Sequence, residues 1–166
     1  MTQRKVVKVS LKLEMTGDWN RAGIHLQNIA VKLRPAFEAK FYEDGQMVLE
    51  KMKGHIYSQD LGWTPLTDHT VELKGGDTTI MIETGQLVNG LEVRRIKSSA
   101  TGSTIFVGAS PWKSHEGGMK MSELMIWLEY GTDKLPPRPL VRPTYEEVKD
   151  LLQKSWEELF KEIVEP

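Results

Sequence analysis

Leu91-Glu92-Val93-Arg94-Arg95-Ile96-Lys97 and Thr104-Ile105-Phe106-Val107 are two short runs rich in β-branched and aromatic residues. The polar stretch 98–103, which contains Gly102, separates them. Residues of this type fit a pleated, half-buried surface, and the spacing predicts two antiparallel strands joined by a hairpin loop. Helical patterns flank the pair on both sides. The expected fold class is therefore α+β: a small antiparallel sheet packed with several helices, in a single domain spanning 1–166.

Upstream of the hairpin, Thr84-Gly85-Gln86-Leu87 predicts a turn or short helix, and Thr79-Ile80-Met81-Ile82 an extended segment. Thr67 is placed to cap a short helix through Leu73 that Gly75-Gly76 ends. Residues 58–62 form a loop. Before it, Phe37, Phe41, Val48, Met52 and Ile56 mark a helix that starts at Pro35 and ends near residue 57. Ala22, Leu26, Ile29 and Leu33 mark an earlier helix capped by Asp18, with a kink or short break expected at Arg34-Pro35. Val7, Val9, Leu11, Leu13 and Met15 alternate with Lys8, Ser10, Lys12 and Glu14, which predicts a strand over 5–15 with one buried face.

Downstream, residues 108–120 are irregular. Ser122 then opens a helix carrying Leu124, Met125 and Leu128, which Gly131 ends. Pro136, Pro137, Pro139 and Pro143 make the stretch 134–143 an extended, stiff arm. Thr144 opens the last helix, 144–164, with Glu147 completing a capping box. Its stripe of Val148, Leu151, Leu152, Trp156, Leu159, Phe160 and Ile163 is expected to pack on the chain's own first sheet or long helix, with packing on the next subunit as the alternative. Its opposite face is mostly acidic.

Composition narrows the function classes. The formal charge of −1, from 22 basic and 23 acidic residues, forces no nucleic-acid partner. With no cysteine, disulfides, thiolate metal sites and cysteine nucleophiles are excluded. Met1-Thr2-Gln3-Arg4-Lys5 leads into charged alternation, so no signal peptide is expected, and no run approaches the 18 apolar residues of a membrane span. His25, His55, His69 and His115 form no metal-ligand spacing, and Gly75-Gly76 and Gly117-Gly118 lack the lysine of a phosphate loop. No nucleophile elbow is present. No catalytic residue, metal or cofactor is expected. Arg4, Lys5, Lys8, Lys12 and the Arg94-Arg95 pair are read as solvated or acid-facing rather than DNA-binding, because aromatics do not interleave them. Of the five tryptophans, Trp63 and Trp112 fall in irregular segments, where an interface role is plausible.

Three separated stretches carry a resemblance. They are Gly62-Trp63-Thr64-Pro65-Leu66-Thr67, then Ile82-Glu83-Thr84-Gly85-Gln86-Leu87, then Glu129-Tyr130-Gly131-Thr132 with Leu135-Pro136-Pro137-Arg138-Pro139-Leu140-Val141-Arg142-Pro143. In this order they resemble the W-x-P-L-S/T, T-G-x-L and P-A-R-P-F-L elements of tailed-phage virion morphogenesis proteins related to the G protein of phage Mu. The last stretch is also similar to siphophage tail-component proteins. Pro137 stands where the family has a small residue, and Leu140-Val141 where it has Phe-Leu.

The resemblance implies a structural protein of the virion, made in the bacterial host cytoplasm and placed at the head–tail junction, where it completes the tail and joins it to the head connector. It implies a homo-oligomeric ring, most simply a hexamer, with neck, connector or tail-tube proteins as neighbours. Genomic DNA would pass its channel without sequence-specific binding, and no membrane is involved. The residues expected to meet neighbouring subunits are Trp63, Pro65, Leu66, Trp112, Pro136, Pro137, Arg138, Pro139, Leu140 and Arg142. The alternative reading is a DNA-binding accessory module of phage origin.

Overall fold

A computed structural model describes residues 17–99 and 102–164, and the strand expected over 5–15 lies outside the described residues. Among them the fold is α+β: five helices and a two-stranded antiparallel sheet. The elements run α1 (Trp19–Ser58), α2 (Asp68–Leu73), α3 (Gln86–Gly90), β1 (Leu91–Ser99), β2 (Gly102–Ala109), α4 (Met121–Tyr130) and α5 (Val141–Val164).

One 40-residue helix, α1, organises the rest. Asp18 caps it, its side chain accepting from the Arg21 N–H at 3.0 Å. The break expected at Pro35 does not occur, since the helix passes through it. Proline leaves the carbonyl of Val31 without its intrahelical donor, but that turn is exposed, so water can serve instead. Arg34 pairs with Glu38 across the proline at 3.4 Å, and Phe37 beyond it is packed on α5. The helix ends where Gln59 turns left-handed at φ 56°, its N–H returning to the His55 carbonyl at 2.9 Å.

The hairpin lies on α1. Leu91 pairs with Ala109, Val93 with Val107 and Ser99 with Gly102, so the strands run longer than the sequence signals suggested. An extra residue between Arg95 and Lys97 bulges β1 and leaves Ile96 exposed. Gly45 sets the closeness of this contact: a Cβ there would fall 2.7 Å from Val93 Cγ1 and 2.9 Å from Ile105 Cδ1.

The core gathers at the C-terminal end of α1. Leu49, Met52 and Ile56 meet Ile80, Leu87, Val88, Leu91, Met121, Met125, Leu128 and Leu140, all buried. Thr79–Ile82, expected to be extended, is irregular, with Met81 at φ 63°. The side-chain amide of Gln59 substitutes for a partner strand there: it accepts from the Ile80 N–H at 2.8 Å and donates to the Ile80 carbonyl at 2.9 Å. Lys74 fixes the same loop by donating to the carbonyls of Thr79 and Ile82.

Helix α4 starts at Met121, a residue before the expected cap Ser122, with the Glu123 carboxylate accepting the Lys120 N–H at 3.4 Å. Helix α5 starts at Val141 rather than Thr144, and the capping box does not form. Thr144 instead donates its hydroxyl to the Leu140 carbonyl at 2.7 Å, and Glu147 turns to Lys51 and His55 on α1. The stripe of α5 packs on the chain's own long helix: Trp156 lies 4.7 Å from Phe41 and 5.3 Å from Phe37, and Phe160 lies 5.2 Å from Phe37, ring centre to ring centre.

Candidate assembly surface

The proline-rich arm is where the sequence placed most of its site residues. It follows Gly131, whose φ of 75° and crowding mark a position made for glycine. A Cβ there would sit 2.8 Å from the Leu135 carbonyl oxygen and 2.9 Å from the Pro137 nitrogen. The chain can therefore fold back sharply on α4, and the Arg138 N–H donates to the Leu128 carbonyl at 2.6 Å.

From there the arm threads between α4 and the Trp63–Leu66 segment. The Trp63 indole donates to the Pro139 carbonyl at 2.7 Å. The Arg138 guanidinium donates to the carbonyls of Thr64 at 3.1 Å and Pro65 at 3.3 Å, and burial lowers its pKa from the usual arginine value. Leu140 is fully buried in the core.

These contacts correct part of the expected assignment. Trp63, Arg138 and Leu140 present little surface to a neighbour, because they are buried and hold the chain's own arm in place. Leu66, Pro136 and Pro139 are half-buried around them. Pro65, Pro137, Arg142 and Trp112 remain at the surface. Trp112 is 65% exposed, with the Arg94 guanidinium 4.0 Å above its ring. Arg94 and Arg95 also face carboxylates, Glu92 and Glu38, each at 3.5 Å.

Sequence reasoning missed the residue that starts α5. Glu129 accepts three backbone N–H groups with its carboxylate: Leu140 at 2.7 Å, Val141 at 2.9 Å and Arg142 at 3.0 Å. A helix N-terminus offers unpaired donors and a positive dipole end, and one anion placed there answers both. Glu129 belongs to the quoted Glu129-Tyr130-Gly131-Thr132 stretch, yet no local pattern signals a cap supplied from more than ten residues upstream.

Also unforeseen is an open apolar groove of about 430 Å³ between α4 and the start of α5. Ile126, Tyr130, Val141 and Tyr145 line it, and they are 56, 75, 40 and 56% exposed. Its charged walls are Glu129 and Glu146 against Arg142. A second hollow, of about 190 Å³, lies between Lys74, Thr79, Gln86 and His115, and Lys74 already serves two carbonyls and Asp77. That volume is below the ~300–1,000 Å³ of small-molecule sites.

His55 is the histidine set among charges. It is buried, with Nδ1 2.7 Å from Asp60 Oδ1 and Nε2 3.0 Å from Glu147 Oε2, the latter off the line of a hydrogen bond. The two carboxylates sit on opposite edges of the ring and do not converge on one point. Among the described residues no group of three or more histidine or acidic side chains could hold a metal, and no helix is long and apolar enough to cross a membrane.

No protein-family model, curated protein or solved structure matches the chain.

Proposed function

We propose that the chain is a structural subunit of the head–tail junction of a tailed phage, assembled as a ring that completes the tail and joins it to the head connector. The observation that carries this reading is the convergence of the three stretches behind the sequence resemblance. Trp63, Thr64 and Pro65 of the first bind Arg138 and Pro139 of the third, and Leu87 of the second shares a core with Leu128 and Leu140.

The surface supports an assembly role in a second way. Large apolar side chains stay exposed along both long helices and in the groove between α4 and α5, as expected of a subunit completed by its neighbours. The test is a nonsense codon at Gln59 in the phage genome that encodes the chain. Filled heads and separate, unjoined tails are expected in a non-suppressing host. Intact infectious particles in normal yield would overturn the reading.

A further inference from the structure

We propose that the first fifteen residues of α1, 19–33, which are largely exposed among the described residues, dock into the α4–α5 groove of a second copy of this chain. This rests on the assembly reading above and supplies its contact.

Trp19, Ala22, Leu26, Ile29 and Leu33 follow one another at spacings of three, four, three and four, the a/d pattern of a helix that packs along a seam. The same face continues into Phe37 and Phe41, where α5 covers it. Phe160 meets Phe37 and α5 runs only to Val164, about one turn further. The earlier turns of α1 thus carry an established packing seam past the end of the helix that fills it. Trp19 and Leu26 are left 58% and 66% exposed.

The α4–α5 groove lies at the other end of the molecule. Tyr145 and Glu146 border it, and the next residue, Glu147, is paired with Lys51 and His55. Leu26 and residue 53 are about 40 Å apart along a helix rising 1.5 Å per residue. A chain's own helix tip therefore cannot reach its own groove. Unless two copies exchange tips reciprocally, tip into groove is a heterologous contact, and such contacts close into rings when the rotation per subunit allows.

Charge favours the pairing. Residues 19–33 contain Arg21 and Lys32 and no carboxylate, whereas the groove is lined by Glu129, which also caps α5, and Glu146, which also pairs with Lys149, against the single cation Arg142. An apolar helical stripe with basic residues on its flanks, laid into an apolar groove whose lining carries one more carboxylate than cations, is a helix-in-groove interface.

The absence of cysteine permits a clean test. Full-length Leu26→Cys and Ile126→Cys chains are mixed and oxidised gently. The expected product is the mixed disulfide, exceeding by about tenfold that of Leu26→Cys with an α5 surface control, Glu157→Cys, since pairing raises effective concentration. Separately, Leu26→Asp should reduce the native mass to that of the monomer and melt at the temperature of the native chain diluted until it is monomeric. Disulfides of Leu26→Cys with itself alone would mean tip-to-tip pairing and overturn the proposal. So would a multimeric native mass with no mixed disulfide above the control, which leaves the assembly reading standing. A chain that stays monomeric at all concentrations, with intact particles in the nonsense mutant, would remove both.

Discussion

The indole Nε1 of Trp63 donates to the carbonyl oxygen of Pro139 across 2.7 Å, joining positions 76 residues apart. The bond makes the proline arm an internal strut. Trp63→Phe keeps a ring but removes the donor, leaving a carbonyl beside the core unpaired. The expected loss is about 1–3 kcal/mol, read as an earlier urea midpoint at unchanged slope.

Glu129 holds three N–H groups at the start of α5, so removing its carboxylate frays that end. Glu129→Ala is expected to cost about 1–2 kcal/mol, the upper range for a helix cap, measured by thermal unfolding. Glu129→Gln keeps acceptor oxygen without the charge and should recover part of the loss. Equal losses in both variants would show that the charge, not the acceptor geometry, starts the helix.

Trp156 packs against Phe37 and Phe41 yet stays half-exposed. Trp156→Ala should destabilise the isolated chain by about 2 kcal/mol, below the roughly 3–5 kcal/mol of a fully buried ring. Unchanged monomer stability with failed assembly would reassign this face of α5 to a partner.

Acid should loosen the clamp between α1 and α5. Lys51 and, secondarily, His55 hold Glu147 below its ordinary value of 4.5, and His55, helped by Ser58, holds Asp60 below 3.8. Carboxylates depressed in the folded chain stabilise it fully above their unfolded pKa and lose that contribution as pH falls through the folded values. Unfolding monitored by circular dichroism should therefore show stability falling below about pH 4.5. Glu147→Gln should be less stable than the native chain at neutral pH and show a shallower fall in acid.

Local chemistry made much of this fold legible. Asp18 and Thr67 cap the helices they were expected to cap, and Gly131 stops α4. The two β-branched runs on either side of the polar stretch 98–103 predicted the hairpin. Where sequence and structure part, a distant contact decides. Thr144 and Glu147 have the spacing of a capping box, but Glu129 starts the helix earlier and α1 claims Glu147. Pro35 signals a break, yet packing on α5 and the Arg34–Glu38 pair carry α1 through it. Trp63 and Arg138 were identifiable as unusual. That they point inward follows from the turn at Gly131, which depends on backbone 4–6 residues further along.

Helix α1 begins among exposed residues and ends inside the core, so one unbroken element samples both extremes of protection. Amide hydrogens near Met52 and Ile56, fully buried, should exchange only when the whole molecule opens. Those near Ile24 and Leu26 should exchange within moments, released by fraying alone. The helix is thus a built-in ruler of exchange times, and occupation of its free end by any partner would be read as slowing confined to the first few turns.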